Sequence, residues 1–419
     1  MIFSLILFSI TYVLMLAFSK YRTYIALGSA TLFIVSGMLP LNQIVGAIDF
    51  NVLLMIGGSM GLVHLFIESK MPDLLAEIII NKVKNVQMAA VALALFAGII
   101  SAFVDNVATV LMVAPVAIQI CKKLNTNPVP FIISIAVSSN LQGAATLVGD
   151  TTSIMLGGEA GMSFLDFFWY QGRPSIFFAV ELGAIVSAFI IAFIFRKEKQ
   201  PIPKQAATTK VTDFVPTVLL LAMLTLLIGA SFIKNKPVIT NGLICCFLFV
   251  IGLLYNLIRY KSKETVISAI KAIDFQTLGL LLGLFLMIGG ITEQGVIATA
   301  ADLLAKLGGG NKFLLFTIIV WASVLISAFI DNIPYVATML PIISGLGINP
   351  TLLYFGLLSG ATLGGNCTPI GASANITGAA LLRKEGYEVK NKDFFKIGIP
   401  FTLAAVISAY VYLWIVYGI

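Results

Sequence analysis

The chain carries one polar hexapeptide twice inside apolar sequence, Ser101-Ala-Phe-Val-Asp-Asn106 and Ser327-Ala-Phe-Ile-Asp-Asn332. A charge at membrane depth is costly, so an aspartate beside an asparagine in such a place points to an ion or substrate site. The carboxylates of Asp105 and Asp331 could each bind Na⁺ or exchange a proton. Proton and cation compete for one group, which is a simple physical basis for coupling. A structural reading stands beside this one: Asp and Asn cap helices well and could satisfy the free N–H groups of a following helix.

Two further stretches share this character. Asn140–Ser153 and Thr362–Asn375 are rich in Gly, Ser, Thr and Asn within long apolar runs. Asn140, Thr146, Gly149 and Asp150 stand in the first, and Asn366, Thr368, Gly371 and Asn375 in the second. Unwound backbone offers carbonyls to a small cation, half-helix N-termini suit an anion, and glycine lets a ligand approach closely. The alternative is tight helix packing, which small residues also serve. Asp150 has no counterpart, because Ala372 follows Gly371, and it reads either as a proton site or as a helix cap.

No lysine or arginine falls inside the expected site. An anionic substrate would therefore depend on helix dipoles, N–H groups and a co-bound cation. Glu68 and Glu293, 225 residues apart, fall at span ends and read as interfacial. The single histidine, His64, lies in a Gly-rich span. It reads either as a proton relay or as a hydrogen-bonded residue between helices.

The elements that position these residues follow from composition. Of 419 residues 59% are hydrophobic and 11% charged, against about 25% charged in soluble domains. The net charge of +7 is explained by its distribution and does not imply nucleic acid. The expected fold is an all-α polytopic membrane protein with ten transmembrane spans, near 2–18, 23–39, 50–68, 129–156, 175–195, 214–233, 238–258, 275–293, 350–382 and 398–417. Apolar runs of this length call for helices rather than a barrel. The first run lacks a basic leader and a cleavage site and reads as a span. Segments 129–156 and 350–382 are too long for plain helices and read as broken ones.

Segments 88–121 and 312–345 each place two apolar arms, of about 14–16 residues, around an Asp-Asn pair. Such arms are too short to cross a bilayer, so each pair reads as a re-entrant hairpin. A kinked span plus a loop is the competing reading. Segments 70–84 and 297–307 read as interfacial amphipathic helices. Four cysteines without CxxC spacing read as free thiols.

With both termini outside, the cytoplasmic side receives most of the basic residues and leaves outside only Arg173, Lys234, Lys236, Lys306 and Lys312. That asymmetry supports the orientation, in the inner membrane of a bacterium or archaeon. The repeat extends beyond the hairpins. Ala47-Ile-Asp-Phe50 recurs 225 residues later as Ala272-Ile-Asp-Phe275, Asp105 and Asp331 are 226 apart, and Gly149 and Gly371 are 222 apart. The halves, 1–195 and 214–419, are joined by a basic cytoplasmic linker at 196–213. An odd number of spans between equivalent points makes them inverted repeats.

The hairpin motifs, with Gly364-Gly-Asn-Cys-Thr-Pro-Ile-Gly-Ala-Ser-Ala-Asn375, resemble the ion transporter superfamily. Within it the likeness is to the arsenite permease and melanosomal P protein group, similar in fold to citrate and dicarboxylate/Na⁺ symporters. Relatives commonly carry Gly-Asp-Pro-Pro-Asn in the first break, where this chain has Gly149-Asp-Thr-Thr-Ser153. The resemblance implies a scaffold, a mobile transport subdomain with both hairpins, elevator motion and a homodimer. It also implies cation and substrate sites at Asp105, Asn106, Asp331 and Asn332 and near Thr146, Gly149, Thr368, Gly371 and Asn375.

The expected function is secondary transport of a small anion, a carboxylate or an oxyanion such as arsenite, coupled to Na⁺ or H⁺. Na⁺/H⁺ exchange without an organic substrate and a passive anion channel are the alternatives. The expected partners are that anion and the lipid bilayer. No cofactor beyond the coupling ion is expected, and no catalytic triad or metal-ligand cluster suggests an enzyme.

Overall fold

The structure, a computed structural model, describes residues 1–202 and 209–419. Within the linker, residues 203–208 lie outside the described residues. The first half builds α1 (Ile2–Ala17), α2 (Arg22–Val35), α3 (Ile44–Ala47), α4 (Phe50–Glu68), α5 (Met71–Lys82), α6 (Val86–Ser101), α7 (Asn106–Lys123), α8 (Val129–Gly143), α9 (Thr151–Glu159) and α10 (Ile176–Ile194). The second builds α11 (Val215–Ser231), α12 (Thr240–Tyr260), α13 (Lys263–Lys271), α14 (Phe275–Glu293), α15 (Val296–Gly308), α16 (Lys312–Ser327), α17 (Asn332–Ser344), α18 (Thr351–Gly364), α19 (Ser373–Lys384) and α20 (Asn391–Leu413). The order recurs helix for helix, α1 with α11 through α10 with α20.

Polar caps set the boundaries in matching places. Asn85 accepts from the Met88 N–H at 2.9 Å to open α6, and Asn311 accepts from Phe313 and Leu314 at 2.9 and 3.1 Å to open α16. Asp49 accepts from Val52 at 3.0 Å, and Asp274 accepts from Gln276 and Thr277 at 3.0 Å, opening α4 and α14. Each such cap contributes roughly 1 kcal/mol.

α8 packs against both arms of the first hairpin, α6 and α7, and α18 packs against α16 and α17. Each broken helix then crosses into the other half: α9 meets α17 and α18, while α19 meets α7 and α8. Every residue from 131 to 157 and from 351 to 366 is buried. A helix buried all round belongs in the middle of a large assembly, and these two form the centre of this one. Around them, α4 packs with α12 and α2 with α14, as a separate layer.

Six helices are by themselves long and apolar enough to cross a membrane: α4, α7, α10, α12, α14 and α20 with its continuation to Gly418. Two pairs, α1 with α2 and α15 with α16, qualify only together and are each bent by 115°. The arms of the first hairpin are thus unequal. α7 runs 18 residues through Pro115 and is longer than its apolar arm suggested. Segments 70–84 and 297–307, expected to be interfacial helices, fold as the helices α5 and α15. A two-stranded ribbon, Trp169–Tyr170 with Arg173–Pro174, joins α9 to α10.

Candidate functional site

Both hairpin tips are tied to the break of the neighbouring helix by the same device. The Thr146 hydroxyl donates to the Ala102 carbonyl, and the Thr368 hydroxyl donates to the Ala328 carbonyl. Beside each threonine lies a glycine crowded by backbone oxygens. A Cβ on Gly149 would stand 2.5 Å from the Gly143 oxygen, 2.7 Å from that of Ser101 and 2.8 Å from that of Ala102. A Cβ on Gly371 would stand 2.6 Å from the Gly365 oxygen and 2.8 Å from those of Ser327 and Ala328. Only glycine permits three carbonyls to converge this closely. Such carbonyls, left over where a helix unwinds, suit a small hard cation.

Asparagines join the two breaks across the centre. Asn140 Nδ2 donates to the Thr362 carbonyl at 2.7 Å and to Asn366 Oδ1 at 3.1 Å. Asn366 Nδ2 reaches the Val137 carbonyl at 2.9 Å, and Asn106 Nδ2 reaches Asn140 Oδ1 at 3.0 Å. Thr152 and Thr362 hydroxyls meet at 3.0 Å. Within the second break, Asn375 Nδ2 donates to Gly365 and Thr368 carbonyls at 3.1 and 3.0 Å. Its Oδ1 is buried without a partner among the described residues.

Asp105, Asn106, Asn140, Asp150 and Asn332 line one cavity of about 330 Å³. Thr151, Ser373, Asp274, Thr277 and His64 share its wall. Five helices present their first turns to this space: Asn106 on α7, Thr151 on α9, Thr277 on α14, Asn332 on α17 and Ser373 on α19. Three of the five are capped by aspartates that also line the cavity. Asp105 accepts from Val107 and Ala108 at 3.0 and 3.1 Å, Asp150 accepts from Thr151 at 2.8 Å, and Asp274 caps α14. Asp150 is therefore a cap and a cavity residue at once. No side chain caps α19, where Ala372 stands in the equivalent place.

The other expected site residues sort differently. Thr146, Gly149, Thr368, Gly371, Asn366 and Asn375 hold the breaks and tips together from behind. Asp331 does not join Asp105 in the cavity. It caps α17 through the Ile333 N–H at 3.1 Å and forms an ion pair with Arg22 in a neighbouring cavity of about 290 Å³. This corrects the expectation that no arginine reaches the site: the bend after α1 brings Arg22 to the second tip. Tyr12 reinforces the contact by donating to the Pro334 carbonyl. Asp274, Ser373 and His64 were not among the expected binding residues. The repeated Ala-Ile-Asp-Phe motif was the available signal for Asp274.

A second cavity, of about 940 Å³, is related to the first by the repeat. Met60, Val63, His64, Ile67, Ala272 and Asp274 line one, and Phe285, Ile288, Gly289, Thr292, Ala47 and Asp49 line the other, each 225 residues from its counterpart. Glu293, expected at an interface, lines this larger cavity with Glu159.

A citrate transporter family model matches residues 6–348 and again 243–418. The chain belongs to the citrate transporter family. The transporter is similar to a 46 kDa membrane protein of Mycobacterium leprae, 32% identical over 329 residues that cover 76% of this chain and 74% of that one. It is also similar to the P protein of Sus scrofa, 27% identical over 494 residues covering 96% of this chain and 58% of that one. Among solved structures, the YdaH transporter of Alcanivorax borkumensis shares the fold with a TM-score of 0.62 at 15% identity, covering 89% of this chain and 87% of that one. MtrF of Neisseria gonorrhoeae does so at 0.59 and 15%, covering 92% and 84%. The transporter is an integral membrane protein that works as a secondary carrier, not as an enzyme.

The Arg22–Asp331 pair is open to a double-mutant cycle. Its side chains are 28% and 24% exposed, so solvent weakens the attraction. Arg22→Ala and Asp331→Ala should each destabilise the transporter, and the double variant should cost less than the sum by roughly 1 kcal/mol. Thermal unfolding in detergent measures this, and strict additivity would show that the pair contributes nothing.

Proposed function

We propose that the transporter moves a small carboxylate or oxyanion together with Na⁺ or H⁺, by an elevator motion of its central hairpin core. The convergence of five helix N-termini on one cavity carries this reading. Aspartates cap four of these N-termini and α19 keeps its N–H groups uncapped; a helix N-terminus carries about half a positive charge, which favours an anion. The uncapped α19 leaves room for a substrate carboxylate beside Ser373, where Asp150 fills the matching place in the other half. A volume of about 330 Å³ suits a molecule of this class.

Asp105, Asp150 and Asp274 oppose a bare anion, and among the described residues no lysine or arginine lines the cavity. The substrate must then enter with cations, which is the coupling. The carbonyls around Gly149 and Gly371 would hold Na⁺, with Asp105 nearest the substrate. The two repeat-related cavities support alternating access, since the same core could face either one. We further propose a homodimer in a bacterial or archaeal inner membrane, with termini on the less basic side.

Na⁺/H⁺ exchange without an organic substrate is the second reading, favoured by the same three carboxylates. Proteoliposomes with a pH dye inside and a Na⁺ gradient across them separate the two. The proposal expects little flux alone and strong flux when citrate, a dicarboxylate or arsenite is added. Full proton flux without any anion would favour the exchanger instead.

A further inference from the structure

We infer that His64, with Glu68 and Ser268, forms a proton path from the aqueous surface to the carboxylates of the smaller cavity. The inference rests on the coupled transport proposed above and names the route of one coupling ion.

The geometry is a short chain of hydrogen-bonding groups. Glu68 stands at the end of α4 with its side chain 41% exposed, and its Oε1 lies 3.1 Å from His64 Nε2. Ser268 of α13 braces both, 3.2 Å from Nε2 and 3.3 Å from Glu68 Oε1. His64 lines the cavity that Asp105, Asp150 and Asp274 share. One end of the chain is exposed and the other belongs to the wall of the site. Histidine takes up and releases protons near neutral pH and serves as a shuttle in such settings.

The step balances without another reactant. Glu68 takes a proton from water and passes it to Nε2, and the ring releases one proton into the cavity to Asp105 or Asp150. The helices packed against α4 on this side carry Lys263, Glu264 and Lys271 on α13, Asp73, Glu77 and Lys82 on α5, and Arg259 on α12. On α7, α9 and α14 the remaining charges stand at the C-terminal ends, away from the three capping aspartates.

The repeat supplies an internal contrast. Position 289 is the counterpart of His64 in the larger cavity, and it is glycine. A Cβ there would lie 2.7 Å from the Ala47 Cβ, so no side chain fits without a shift. Glu293, the counterpart of Glu68, faces that cavity with no ring between. The path therefore serves one face of the transporter only.

The test uses the full chain in liposomes, with an internal pH dye and Na⁺ and citrate as probes. Proton flux should fall about 100-fold or more in His64→Ala, and that loss should far exceed any change in citrate/citrate counterflow, which needs no net proton. Added imidazole should restore the flux, as it would not for a structural residue. His64→Gln keeps the hydrogen bond to Glu68 and should show the same loss if the alanine variant fails to fold. Unchanged proton flux in the variants, or loss of counterflow with no rescue, would overturn the path. A wild-type protein that moves citrate with Na⁺ but no protons would overturn it and leave the transport reading standing. One that moves none of citrate, a dicarboxylate or arsenite would remove both.

Discussion

Replacing Asp105 with asparagine should stop cation-driven uptake while leaving the fold intact. The two effects separate because the side chain has two tasks. As the cap of α7 it accepts from Val107 and Ala108, and an asparagine oxygen caps as well as an aspartate oxygen. As a cavity residue it supplies negative charge, which the amide lacks. An interaction with a charged group is worth roughly 1.5–3 kcal/mol, which corresponds to about a 10–100-fold loss of uptake. Uptake in proteoliposomes and thermal unfolding of the same preparation give the two readouts. Normal uptake would remove Asp105 from the site. Asp331→Asn makes a different comparison, since it also releases Arg22 from its partner, so its loss of activity should come with lost stability.

Gly149→Ala and Gly371→Ala should be among the most damaging small substitutions of the described residues. Each new methyl group would meet three backbone oxygens within 2.8 Å. Side chains can turn away from such contacts, but these carbonyls are fixed by the hairpin tips and cannot. Overpacking of a core costs about 1–3 kcal/mol, and these positions should reach or pass the upper end. The threonine ties to Ala102 and Ala328 would open with it. Gly28→Ala is the control: a Cβ there meets nothing within 4 Å, and in a helix the change should stabilise by about 0.5–1 kcal/mol. Unfolding temperatures in detergent compare the three, and similar values would mean that the carbonyl clusters are looser than described.

Much of this architecture was legible in the residues. The doubled Ser-Ala-Phe-x-Asp-Asn motif marked both tips, because an aspartate in apolar sequence has few other reasons to be there. The glycine-rich breaks were equally visible, and local caps such as Asn85 and Asn311 are a matter of short-range chemistry. What stayed hidden depended on distance along the chain. Arg22 and Asp331 are 309 residues apart, and nothing near either names the other. The bend of 115° between α1 and α2 that brings these two residues together is a long-range packing outcome that hydropathy does not mark. Asp274 and Ser373 resembled boundary residues because each opens a helix. Their role appears only when several helix starts meet at one point.

The Arg22–Asp331 bond links the outer layer to the second tip, whereas Asp105 at the first tip caps its own helix. A carrier built from two halves of the same helix order would otherwise spend similar time open to each side. One ion pair worth about 1 kcal/mol would tilt that balance about fivefold. Empty carriers would then pool on one face of the membrane, and half-saturation for the same solute should differ between the two faces.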